Sequence, residues 1–109
     1  MAIVRVTLFK VPSKENQQKL LDLYPTLAKT AAKDKKPYII SLQAGLAHED
    51  QRSQGYTIAT TFEFKSLDDM RYYDTDCEAH KWLKEQAKPL GLEGPPLTVY
   101  YEPTVVSSL

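Results

Sequence analysis

Cysteine is almost missing from this sequence: Cys77 is the single one in 109 residues. That excludes an intramolecular disulfide framework, and a lone thiol suits a reducing interior, so the expected location is cytoplasmic. Net charge is missing too. Fourteen basic and fourteen acidic side chains cancel, which leaves no long-range field to draw in nucleic acid or anionic lipid, and neither is expected as a partner. The densest basic cluster, Lys29, Lys33, Lys35 and Lys36, falls where a helix should end. It reads as favourable charge at a helix C-terminus and as a solubilising patch. No apolar run approaches the ~20 residues of a membrane span, and no charged-then-apolar leader opens the chain. Repeats and low-complexity tracts are absent. The Ser107-Ser108-Leu109 ending resembles a peroxisomal tripeptide but lacks the central lysine. A flexible tail over 104–109, behind one domain over 1–103, is the expected organisation.

What is present is a clear succession of periodic segments. Met1 to Val11 alternates, with Val4, Val6 and Leu8 on one face and Ile3, Arg5, Thr7, Phe9 and Val11 on the other. Ser13 is a good N-cap, and Leu20, Leu23/Tyr24, Leu27 and Ala31 follow helical spacing to about Ala32. Pro25 lies inside that pattern and predicts a kink or a break between two helical pieces. Strands are expected over Tyr38–Ala44, Tyr56 to Phe64 or Lys65, and Leu97–Glu102. Ser66-Leu67-Asp68-Asp69 caps a helix over Leu67–Tyr73. An irregular link, Asp74–Cys77, leads to a further helix over Glu78–Lys88, which Pro89 ends.

The order β-α-β-β-α-β predicts an α+β, ferredoxin-like fold: a four-stranded antiparallel sheet with helices on one face. On the first strand, Val4, Val6 and Leu8 are expected beneath the helices. On the third, the small and polar row Thr57, Ala59, Thr61 and Glu63 suits close helix packing, which turns the row of Tyr56, Ile58, Phe62 and Phe64 away from them. A sheet apolar on its uncovered face needs a partner. A homodimer with the two sheets face to face, a dimeric α+β barrel, is the expected assembly.

Chemistry-bearing residues gather around the second helix: Tyr72, Tyr73, Asp74, Asp76, Cys77 and His80. An imidazole accepts and returns a proton near neutral pH, and a neighbouring phenol stabilises an enolate oxygen. The bland alternative has His80 bonding a backbone carbonyl and fixing the Asp74–Cys77 link to the next helix. Tyr72 and Tyr73 point about 100° apart on a helix, so only one of them faces a given cavity. Cys77 and His80 lack the second pair that tetrahedral zinc requires, so no metal is expected, and Cys77 reads as a small buried thiol. His48-Glu49-Asp50 is not a metalloprotease helix motif, because Arg52 stands where the second histidine belongs. Arg5, in the middle of a sheet row, must either pair with a carboxylate such as Glu63 or Glu102 or hold an anionic ligand. Trp82 either floors a pocket or packs at a dimer edge.

An ordered set of short motifs now carries a resemblance. Val6-Thr7-Leu8-Phe9-Lys10, Pro37-Tyr38-Ile39, Gly55-Tyr56-Thr57, Phe62-Glu63-Phe64, Tyr72-Tyr73-Asp74 with Ala79-His80, and Thr98-Val99-Tyr100-Tyr101-Glu102-Pro103 span nearly the whole domain. Together the chain resembles the stress-responsive A/B barrel proteins of the dimeric α+β barrel superfamily, especially the fungal-type members. The resemblance implies a homodimer with a cavity between sheet and helices that holds a small molecule, and no cofactor. Members include boiling-stable plant stress proteins and olivetolic acid cyclase, a cofactor-independent polyketide cyclase in which a tyrosine and a histidine near the second helix transfer protons. The counterparts here are His80 with Tyr72 or Tyr73. Two departures stand out: the family's strand-one histidine is Arg5 here, and the histidine after Gly-Tyr-Thr is Ile58. Arg5, Phe9, Tyr56, Ile58, Phe62 and Trp82 are the candidate ligand contacts. The expected function is binding of a small apolar carbonyl or aromatic compound, with cyclase or lyase chemistry of the aldol or Claisen type. The alternative is a non-catalytic stress-related dimer with a structural His80.

Overall fold

The computed structural model describes residues 2–108. Met1, at the head of the first expected strand, and Leu109, of the Ser107-Ser108-Leu109 ending, lie outside the described residues. Eight main elements follow in order: β1 (Ile3–Phe9), α1 (Lys14–Leu21), α2 (Tyr24–Thr30), β2 (Ile39–Leu46), β3 (Ile58–Phe64), α3 (Leu67–Thr75), α4 (Glu78–Ala87) and β4 (Leu97–Tyr101). The strands form one antiparallel sheet in the order β2-β3-β1-β4. This is the split βαβ arrangement expected of a ferredoxin-like fold. Among the described residues, no helix is long and apolar enough to cross a membrane.

Local chemistry sets the helix boundaries. The Ser13 hydroxyl accepts a hydrogen bond from the Asn16 N–H and starts α1, and Ser66 does the same for Asp69 at the head of α3. The helical pattern breaks after Leu21, and Pro25 sits in the first turn of α2. There its missing N–H removes nothing, because first-turn donors have no partner inside the helix. Lys33 and Lys36 then exchange both backbone hydrogen bonds across Asp34 and Lys35, whose φ values are 52° and 66°. Two consecutive positive φ values make this a tight turn with the hand of a hairpin connection. From it Lys33 reaches Asp69, 2.7 Å away.

The faces of the sheet are the reverse of the expected ones. Ile3, Arg5, Thr7 and Phe9 of β1, and Ile58, Thr60, Phe62 and Phe64 of β3, are the buried rows beneath the helices. Val4, Val6, Leu8, Ala59, Thr61 and Glu63 occupy the other face. The physical reason is volume. The space between sheet and helices is filled by large side chains from both sides, and Leu20, Tyr24, Leu27, Met70, Tyr73 and Leu83 descend from the helices to meet the Phe62 and Phe64 rings. Small residues in that row would leave voids. The uncovered face remains apolar through a different row: Val4, Val6 and Leu8 pair directly with Tyr101, Val99 and Leu97 of β4.

Candidate functional site

Between the inner row of the sheet and the helices lies a cavity of about 380 Å³. Its body is apolar: Phe9 and Phe62 from the sheet, Leu20 from α1, and Leu83 and Ala87 from α4. One end is polar. Strand alternation directs Arg5 and Thr7 inward from β1, the last turn of α3 delivers Tyr73 and Asp74, and the first turn of α4 delivers His80.

Arg5 is held on three sides. One terminal guanidinium nitrogen donates to the Thr7 hydroxyl at 2.9 Å, the other donates to Asp74 Oδ1 at 2.9 Å, and Cζ lies 5.0 Å from the centroid of the Tyr73 ring. Its side chain is 10% exposed, whereas that of Asp74 is 37% exposed. Nε is sealed from solvent with no hydrogen-bond partner. The carboxylate that pairs with Arg5 is therefore Asp74; Glu63 sits on the opposite face beside Ser41.

His80 is buried, with Nδ1 2.8 Å from the carbonyl oxygen of Tyr73. A carbonyl only accepts, so Nδ1 carries the hydrogen and the lone pair belongs to Nε2. The same contact satisfies a carbonyl in the final turn of α3, where the helix no longer supplies donors. Burial lowers the imidazole from its ordinary value of 6.5 to about 4; the hydrogen bond to Tyr73 opposes that shift, and the Lys84 and Arg5 charges reinforce it. The ring is therefore neutral at pH 7. Burial raises the Tyr73 and Tyr24 phenols well above the ordinary range, although the Arg5 charge pulls both back. Both are neutral hydrogen-bond donors.

Of the residues singled out in the sequence, Arg5, Phe9, Phe62, Tyr73 and His80 line this cavity together. Tyr72 does not: its hydroxyl donates to the Ala32 carbonyl at 3.1 Å, and its ring stands edge-on to Tyr38. Tyr56 is half-buried under the Lys10 ammonium and borders a separate depression of about 280 Å³ with Ile58, which is itself a core residue. Trp82 is partly buried against the core outside the cavity lining. Cys77 is buried. Sequence reasoning did not single out Tyr24, Thr60, Leu83 or Lys84 as cavity residues. A signal existed for one of them: Lys84 follows His80 by four residues on α4 and so shares its face.

A family model, the stress responsive A/B barrel domain, matches residues 3–92. The chain belongs to this family. The matched span contains Arg5, Thr7, Tyr73, Asp74 and His80. Within curated proteins the A/B barrel chain is 38% identical over 99 residues, 91% of its own length and 71% of the other's, to a fusaristatin A biosynthesis cluster protein of Gibberella zeae. Its fold is similar to that of a monooxygenase from Streptomyces coelicolor in complex with the ligand nanaomycin D. That likeness has a TM-score of 0.73 and 21% identity, and covers 99% of this chain and 92% of the other. It is also similar to a dimeric ferredoxin-like protein from Thermobifida fusca, with a TM-score of 0.71 and 15% identity over 93% of this chain and 90% of that one.

Proposed function

We propose that this A/B barrel protein is a homodimer that binds a small, largely apolar carbonyl or aromatic compound in its cavity and performs cofactor-independent cyclase or lyase chemistry there. The observation that carries the chemistry is the tethered His80 ring: Nδ1 is fixed on the Tyr73 carbonyl, so the lone pair sits on Nε2 of a residue that lines an apolar cavity. A relative in a biosynthesis cluster and a fold neighbour holding a small-molecule ligand both support a small-molecule role.

In this reading a ligand with two carbonyl groups gives up the acidic proton between them to His80 Nε2. The resulting enolate carbon attacks a further, more distant carbonyl of the same chain, forming a carbon–carbon bond, and the new alkoxide takes the proton back from the imidazolium. Burial makes His80 a weak base, so only an activated carbon acid is a suitable donor. The cost falls as enolate charge forms beside Arg5 and the Tyr73 phenol, which stabilise the oxygen. Tyr73, not Tyr72, is the tyrosine with access to this step.

Support for the dimer comes from the uncovered sheet face, where Val99 and Tyr101 are 53% and 52% exposed opposite Val6 and Val4. A contiguous apolar patch of this kind favours a second copy, and a similar fold forms a dimer.

A second reading has a specific observation in its favour. The bond from His80 to the Tyr73 carbonyl is what a purely structural histidine makes, in a non-catalytic stress-related dimer. Two variants separate the readings. His80→Asn retains a donor near the Nδ1 position and removes Nε2, whereas His80→Ala removes both. Melting temperature, binding of a panel of phenolic ketones and turnover of linear tetra-β-ketones are measured for each. The enzymatic reading requires His80→Asn to melt near the parent and lose turnover. Ligand handling intact in both variants, with the loss confined to melting temperature, supports the structural role.

A further inference from the structure

We infer that the compound held in this cavity carries a carboxylate, received at the polar end by Arg5 and attracted from the rim by Lys84. The inference rests on the small-molecule reading above and names the charge of the ligand.

The first ground is the incomplete pairing of Arg5. A guanidinium presents its donors as a planar fork, and its strong partner is a carboxylate that takes two of them side by side. Asp74 takes one terminal nitrogen through a single oxygen, 2.9 Å away, from a side chain that is itself 37% exposed. Thr7 takes the other terminal nitrogen, and Nε has no partner at all although the side chain is nine-tenths buried. A buried cation in this state retains a large unmet demand for negative charge.

The second ground is the local charge balance. Arg5, Lys84 and Lys88 line the cavity against a single carboxylate, Asp74. The chain as a whole is neutral, with fourteen charges of each sign, so the excess of cations belongs to this place. Lys88 is paired with Glu85 at 2.8 Å, but Lys84 has no ion-pair partner among the described residues. The neutral His80, Tyr24 and Tyr73 side chains supply no compensating anion. The apolar body of the cavity fits the hydrocarbon part of an aryl or alkyl acid, with its head toward Arg5.

A matched pair of probes tests this: 6-phenylhexanoate and its neutral amide, 6-phenylhexanamide, titrated calorimetrically at low and high salt. The acid is expected to bind about tenfold tighter than the amide, the preference falling by roughly threefold in Lys84→Gln and in high salt. In Arg5→Gln the preference is expected to vanish, while Arg5→Lys retains a weakened one because it keeps the charge and loses the fork. Should Arg5→Gln fail to fold, the salt series and Lys84→Gln still decide. Equal or tighter binding of the amide to the parent protein, with phenolic ketones also bound, overturns the carboxylate assignment alone. Failure of acid, amide and phenolic ketones to bind at all overturns it together with the small-molecule reading.

Discussion

Tyr73 and His80 lie face to face, their ring centroids 3.8 Å apart and their planes within 10° of parallel. The histidine also bonds the backbone carbonyl of the residue it stacks on. One residue at the end of α3 thus fixes both the orientation and the tautomer of the first-turn histidine of α4. The stack leaves little room for a hydrated imidazolium, which accounts for the direction of its shift.

The first prediction concerns acid stability. His80 falls from 6.5 to about 4 on folding, so between those values the unfolded chain binds the proton that the folded chain refuses. Stability is complete above pH 6.5, declines as pH falls toward about 4, and loses nothing further from this group below that. The expected penalty across the window is on the order of 3 kcal/mol. Carboxylates titrate near the lower end, so the group is isolated by difference. The urea midpoint of the parent, measured from pH 7.5 to pH 4, should fall relative to that of His80→Asn as the pH drops. Parallel curves contradict the shift.

A second prediction follows from the asymmetry of the Arg5–Asp74 pair. Removing Asp74 strands a buried guanidinium, whereas removing Arg5 frees a carboxylate that already reaches solvent. Asp74→Ala is therefore expected to cost about 1–2 kcal/mol, a value held down by the partial exposure of Asp74. Arg5→Met, which fills the same volume with apolar atoms, is expected to cost less than Asp74→Ala and to fall within about 1 kcal/mol of the parent. Denaturant titration of both at pH 7 checks the order; the reverse ranking removes the claim that Asp74 is the main neutraliser of Arg5.

The third prediction addresses the uncovered sheet face. Val6 sits opposite Val99 in the middle of the β1–β4 ladder. A charge there has no counterpart on a second copy related by a two-fold axis, since the same charge meets it or its neighbours. Sedimentation at micromolar concentration should give twice 12.4 kDa for the parent and 12.4 kDa for Val6→Glu. A parent that sediments as a single chain defeats the dimer.

Much of this architecture was legible in residues whose local chemistry admits one solution. Ser13 and Ser66 announced helix starts, and Pro25 inside a helical pattern announced the break between α1 and α2. Period-two alternation separated the two rows of β1 correctly, but it carries no sign, and both rows of this sheet are apolar enough to be buried. The small row Thr57, Ala59, Thr61 and Glu63 of β3 made the true outer face look like the helix-packed one, whereas the row that is buried includes Arg5 and Thr7. Their acceptance inside depends on Asp74, 69 residues away, and a pairing of that range leaves no local trace. The cavity is illegible for the same reason: β1, α2, α3 and α4 each contribute a side chain whose neighbours are set by packing. The choice between Tyr72 and Tyr73 turned on 100° of helix rotation: Tyr73 lines the cavity, whereas Tyr72 turns to the Ala32 carbonyl.

The last prediction tests the cavity without touching its polar end. Ala87, in the final turn of α4, is partly buried and lines the apolar wall. Ala87→Phe adds a ring where about 380 Å³ of space already exists, so its overpacking cost is expected to stay below about 1 kcal/mol, less than the same change in a filled core. The ring occupies the volume a ligand body needs, so affinity for phenolic ketones is expected to drop by about tenfold or more. Gln86→Phe places the same ring at an exposed neighbouring position and serves as the control. Calorimetric titration and thermal melts of both variants separate the outcomes. Loss of binding in Ala87→Phe alone, with melting temperature retained, locates the ligand between Phe62 and α4. Unchanged binding in both variants moves it elsewhere on the molecule.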